Sequence, residues 1–133
     1  MSNRVLYVDS SALVKLVIDE SESVALTREL RDRPTVVSSA LALVEVLRAV
    51  RIQSRGDLNA ETRARELLAS CQLVHPRDRV LEDAAGLASA DLRTLDAIHL
   101  ASALQVAPDA VVTYDRRLAE AATAARLSLL APA

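Results

Sequence analysis

The chain of 133 residues has no phenylalanine or tryptophan, two tyrosines, two glycines and one cysteine. Each shortage excludes something. So few aromatics leave little for a base-stacking platform. With Gly56 and Gly86 as the only glycines, no glycine-rich loop can cradle a nucleotide, which removes P-loop and dinucleotide-fold readings. Cys71, standing alone, forms no internal disulfide and no thiolate metal cluster. Such a cysteine usually serves as a small buried hydrophobe. No apolar run approaches the roughly 20 residues of a membrane span, and residues 1–8 are too short for a signal peptide. The expectation is therefore a cytoplasmic protein with no membrane association. A formal net charge of −2 gives no global field for polyanions, so any nucleic acid must be held by local patches or by metal.

What is present suits one domain, residues 1–133, large enough to bury a core without staples. Val5-Leu6-Tyr7-Val8 reads as a buried strand that stops at Asp9-Ser10-Ser11, after which helical spacing returns. A near-continuous apolar strand suggests a parallel sheet covered on both faces, and ligands bind such sheets beyond the carboxyl ends of their strands. Asp9 sits at that point, either as a chemical group or merely as a helix cap. The chain then predicts a helix over 11–18, a second opened by Asp19, Glu20 and Glu22 and running to about Arg33, and a strand over 35–39. A helix capped by Ser38 or Ser39 follows over 40–54, and one capped by Asn59 over 60–70. A weak strand over 72–75, helices over 79–90 and 94–104, a strand over 110–113, a helix over 116–126 and an edge strand at 127–130 complete the pattern. Short strands separated by helices argue for α/β layering around a parallel sheet.

Two strands end in aspartate, Asp9 and Asp115, so a parallel sheet sends both into one crevice. Asp96 lies in the first turn of an otherwise apolar helix, where the dipole favours its ionised form. Glu45 is the only charge between Ala40 and Leu47, and it either enters the site or forms a solvated stripe with Arg48. Like charges about 4 Å apart repel by about 4 kcal/mol at an effective dielectric near 20. Convergent acids therefore call for a cation, and oxygen donors without thiolates suit Mg²⁺ or Mn²⁺ rather than zinc. Such an ion activates water and stabilises in-line displacement at a phosphodiester. A glycosidase-type acid pair needs only two carboxylates and usually an aromatic sugar platform, and ranks below. His99 shares the Asp96 helix face, but a lone helical histidine is more often structural and is left out of the site.

Val8-Asp9-Ser10-Ser11-Ala12-Leu13, the isolated Glu45 with Arg48, Leu95-Asp96-Ala97-Ile98-His99-Leu100-Ala101 and Val112-Thr113-Tyr114-Asp115 together resemble the PIN-domain ribonucleases. The resemblance is in particular to the VapC-type toxins of bacterial toxin–antitoxin pairs. It implies a three-layer α/β/α domain with a central parallel sheet of four to five strands. It also implies an Mg²⁺-dependent endoribonuclease, with Mn²⁺ able to substitute, whose metal site is Asp9, Glu45, Asp96 and Asp115. Thr113 and, more weakly, Ser10 are similar to supporting hydroxyls. Some family members carry another acid just after the last aspartate, where this chain has Arg116 and Arg117. A homodimer and a small VapB-type antitoxin that occupies the acidic groove are implied as partners, beside the RNA substrate. Arg48, Arg51, Arg55, Arg116 and Arg117 are candidates for holding RNA backbone, each with a solvated-surface alternative. The rival from another class is a non-catalytic module whose acidic groove docks a basic partner.

Overall fold

Val5 to Val8 form β1 (Val5–Val8), the central strand in the computed structural model, which describes residues 3–88 and 91–133. Leu6, Tyr7 and Val8 are wholly buried, as an apolar strand between two covered faces must be. The chain continues through α1 (Ser10–Lys15), α2 (Ser23–Glu29), β2 (Thr35–Ser39), α3 (Leu41–Gln53), α4 (Leu58–Ala69) and β3 (Gln72–Val74). Next come α5 (Asp78–Ala85), α6 (Thr94–Val106), β4 (Ala110–Val112), α7 (Arg116–Ala124) and β5 (Leu129–Leu130). Among the described residues all strand pairs are parallel, in the order β3-β2-β1-β4-β5. The expected parallel sheet is therefore present, with five strands.

The two-residue alternation of a strand sorts its side chains between two cores. Leu6, Val8, Ala110 and Val112 pack with Leu13 of α1, Leu26 of α2, Val46 and Val50 of α3, and Leu68 of α4. On the other face Tyr7, Val37 and Val111 meet Ala103 of α6, and Leu100 of α6 meets Leu118 and Ala122 of α7. The result is a three-layer α/β/α arrangement. Strands β2 and β3 step away from β1 on one side, and β4 returns to its other side. The crevice between the carboxyl ends of β1 and β4 is thus the topological switch point, where open α/β sheets bind ligands.

Several element ends differ from the expectation, each for a local reason. The helix expected from Asp19 is only α2, because Glu20 and Glu22 turn back to Lys15 Nζ at 3.4 and 2.9 Å. Ser39 Oγ accepts from the Leu41 N–H at 3.1 Å at the entry to α3, whereas Ser38 is wholly buried in β2. Asn59 does not cap α4; the extended Asp57 does, its carboxylate accepting the Asn59 N–H at 2.9 Å. The sharp entry uses Gly56 at φ 78°, a left-handed backbone that suits glycine. The helix expected over 79–90 ends at Ala85, and residues 89–90 of that expectation lie outside the described residues. Cys71 is half-buried, its Sγ donating to the Leu67 carbonyl at 3.3 Å. Among the described residues no helix is long and apolar enough to cross a membrane.

The cap assignment is testable by chemical denaturation. Asp57→Ala is expected to lose about 1 kcal/mol, as cap deletions typically do. Asn59→Ala, which removes no capping acceptor, is expected to stay within about 0.5 kcal/mol.

Candidate active site

Asp9 is both helix cap and crevice residue. Its Oδ1 accepts the Ala12 N–H at 3.0 Å and the Ser11 hydroxyl at 2.7 Å. Its Oδ2 accepts the Thr113 hydroxyl at 2.5 Å. With 4% of its surface exposed, this carboxylate would be costly to bury without such partners. The same hydroxyls join the loop after β4 to the turn after β1, since Thr113 Oγ1 accepts the Asp115 N–H and Ser11 Oγ accepts the Tyr114 N–H, both at 3.0 Å. Asp115 in turn caps α7, its Oδ1 accepting the Leu118 N–H at 3.0 Å.

Glu45 reaches this region from the second turn of α3. Its Oε1 accepts the Ser10 hydroxyl and the His99 Nε2–H, each at 2.7 Å. The alternative pairing with Arg48 is not what this carboxylate makes. Arg48 is exposed one turn further on, and Glu45 faces α1 and α6 instead. Asp96, half-buried in the first turn of α6, completes the set.

Electrostatics tie the four acids together. Burial pushes the Asp9 carboxyl above the ordinary aspartate range, against the pull of Thr113, Ser11, the Ala12 N–H and the His99 charge. Asp96 is also raised, first by burial and then by repulsion from Asp115, with further contributions from Asp9 and Glu45 opposed by His99. Burial works to raise Glu45, but the hydrogen bond and charge of His99, helped by Ser10, outweigh it and hold the group below the usual range. Asp115, Asp9 and Glu45 thus all contribute to the upward shift of Asp96, after its burial. No three acid, imidazole or thiol side chains among the described residues form a ready-made ion cage. The donor chemistry nevertheless fits a hard divalent cation: carboxylate oxygens in mutual repulsion, supported by hydroxyls, with no thiolate.

The structure also brings in three residues outside the expected site: Ser11, bonded to Asp9, and His99 and Tyr7, linked to Glu45. His99, omitted as structural, is 2% exposed and bridges Glu45 to the Tyr7 hydroxyl, which lies 2.8 Å from Nδ1. The available signal was its three-residue offset from Asp96 on one helix face. Among the arginines, Arg51 is engaged by Glu61 at 2.5 Å, and Arg116 lies 3.7 Å from Glu120 in an exposed pair. Arg48, Arg55 and Arg117 are exposed.

An order β3-β2-β1-β4-β5 with acids gathered at the β1/β4 switch point defines a PIN-like α/β/α protein. The family model described as PIN domain matches residues 6–124, and the chain belongs to that family as a VapC-type member. It is 46% identical over 129 residues to Ribonuclease VapC46 of Mycobacterium tuberculosis, covering 96% of this chain and 97% of the relative. It is 43% identical over 133 residues to Ribonuclease VapC35 of the same species, with 96% of each covered. Among solved structures, M. tuberculosis VapC20, described as a Sarcin-Ricin loop cleaving toxin, matches with TM-score 0.74 at 18% identity over 87% of this chain and 94% of that one. A toxin–antitoxin complex from Klebsiella pneumoniae matches with TM-score 0.72 at 19% identity over 96% and 98%.

The raised Asp96 carboxyl has a consequence for stability. A group raised in the folded state contributes stability that is fully present below its unfolded pKa, about 3.9, and lost as pH rises through the folded value. Without divalent ions, Asp96→Asn is thus expected to raise the thermal midpoint at pH 7. The gain should shrink toward zero as the pH falls below the ordinary aspartate range, which paired melting curves across pH would check.

Proposed function

We propose that this chain is a metal-dependent endoribonuclease that cleaves RNA phosphodiester bonds as the toxin of a toxin–antitoxin pair. What supports the reading is that Asp9 and Asp115 follow β1 and β4 at the switch point, joined through the Thr113 hydroxyl, while Ser10, next to Asp9, donates to Glu45, and Asp96 is raised by burial and then by Asp115. Relatives named as ribonucleases and neighbours solved as toxin–antitoxin complexes support it.

Asp9, Asp96 and Asp115 are the residues that would hold Mg²⁺ or Mn²⁺. Glu45 would bind a second ion or orient the attacking water. A divalent ion supplies Lewis-acid activation of water and of the scissile phosphate. Thr113 and Ser11 keep the Asp9 carboxylate oriented, and Ser10 does so for Glu45. Arg48, Arg116 and Arg117 offer contacts to backbone phosphates.

Target choice would rest on RNA shape rather than on stacking. Tyr7 is wholly buried, and Tyr114 spends its hydroxyl on the Pro132 carbonyl at 2.7 Å while Lys15 lies 5.0 Å from its ring centre. Neither tyrosine is presented as a base platform. The partners proposed are a VapB-type antitoxin docking at the acidic crevice and a second copy of the chain in a homodimer. The activity belongs in the cytoplasm, with its RNA.

Purified protein incubated with a mixed RNA pool is expected to cut at discrete positions with Mg²⁺ or Mn²⁺. Both EDTA and Asp9→Asn should abolish the cuts. Activity that survives EDTA, or persists in Asp9→Asn and Asp96→Asn, contradicts the reading. Binding of a basic peptide without turnover would instead favour a docking module. For the arginines, Arg48→Ala and Arg116→Ala should each reduce the salt slope of RNA binding by about 1. An unchanged slope removes that residue from the interface.

A further inference from the structure

Glu45 is held through one oxygen. Oε1 accepts from both Ser10 Oγ and His99 Nε2 at 2.7 Å, while Oε2 has no partner among the described residues. His99 is itself fixed from its far side, where Nδ1 meets the Tyr7 hydroxyl at 2.8 Å. The two rings pack edge to face, centroids 5.9 Å apart with planes at 76°. Tyr7 is anchored in β1 with no exposed surface. A buried chain of polar contacts therefore runs from the central strand, through α6, to the one acid contributed by α3.

We infer that Tyr7 and His99 are positioning residues, which fix the Glu45 carboxylate so that Oε2 is the oxygen presented to the acidic crevice. The inference rests on the ribonuclease reading of that crevice. A glutamate side chain left alone samples several rotamers. Two donors on one oxygen select among them, and the Tyr7 contact stops the imidazole from swinging away. His99 cannot itself reach substrate, because its side chain is 3% exposed and both ring nitrogens are engaged within the protein. The Glu45 side chain, at 26% exposed, is the end of the chain that meets solvent. Packing alone does not explain the arrangement, since a leucine would fill the space without bringing two buried nitrogens that need partners.

The test is a double-mutant cycle on Glu45→Gln and His99→Leu, with His99→Gln and Tyr7→Phe alongside. It is read as kcat and KM for RNA cleavage and, independently, as Mn²⁺ affinity by calorimetry. His99→Leu is expected to lower kcat by about 10–100-fold with KM nearly unchanged, the range usual for groups that orient a ligand. His99→Gln, whose amide can still donate to Oε1, should recover most of that loss. Tyr7→Phe, which keeps the buried ring, should lose a smaller part. His99→Leu added to Glu45→Gln should cost little more than Glu45→Gln alone, because both act through one carboxylate. Fully additive losses, or wild-type kcat and Mn²⁺ affinity in His99→Leu, overturn the inference. Should His99→Leu fail to fold, Tyr7→Phe takes its place in the cycle, and additivity with Glu45→Gln overturns it equally. If the unaltered chain binds Mn²⁺ but cleaves no RNA, the ribonuclease reading falls and the Mn²⁺ cycle alone decides the positioning role. An unaltered chain that binds no Mn²⁺ overturns both.

Discussion

A carboxylate at the end of the central strand, with 4% of its surface exposed, is the constraint around which the rest of the molecule is arranged. Asp9 needs donors, and the parallel register supplies them. Tyr7 and Val8 lie opposite Val111 and Val112, so the next residues along, Asp9 and Thr113, come together and bond. The Asp9 N–H continues the ladder to the Val112 carbonyl at 3.1 Å. The apolar core therefore sets the geometry of the site: Leu6, Val8 and Val112 fix two strands, and the strands fix an acid and a hydroxyl.

Gathering further acids at the same place opposes folding. Asp96 bears that cost, since burial first, and then repulsion from Asp115 with smaller contributions from Asp9 and Glu45, raise its carboxyl above the ordinary aspartate range. Functional sites commonly retain strain that the surrounding structure overcomes. Here the sheet is covered on both faces by apolar helix surfaces, and the acids are anchored to separate elements: β1, α3, α6 and the loop after β4. Two of them double as helix caps, so capping and site formation are one feature of the fold. Glu45 differs from Asp9 and Asp96, since His99 and Ser10 outweigh its burial and hold it on the ionised side of its ordinary range.

Strand-end acids are legible in a sequence because a hydrophobic run that stops at an aspartate marks the end of a strand. Asp9 and Asp115 could be read in that way, and Glu45 stood out as one charge in an apolar segment. The role of His99 was not legible, because its partners lie 54 and 92 residues away, on α3 and β1. Tyr7 looked like any strand core residue, and its hydroxyl gained meaning only once α6 was placed above it. The cap of α4 fell to Asp57 rather than Asn59 because the chain direction at Gly56 decides which side chain faces the first turn. Lys15 drew Glu20 and Glu22 toward α1, which shortened a helix that dipole arguments alone would have begun earlier.

The most direct measurement is the thermal midpoint of the purified chain across a series of Mn²⁺ concentrations, with NaCl matched for ionic strength as the control. An ion held only by the folded crevice stabilises it by RT ln(1 + [L]/Kd), about 2.7 kcal/mol at a hundredfold excess over Kd. The midpoint is expected to climb steadily with the logarithm of Mn²⁺ concentration, by far more than in the salt control, and the climb should be lost in Asp9→Asn. Equal shifts in Mn²⁺ and NaCl, or the same climb in Asp9→Asn, would contradict the claim that these acids form a cation site.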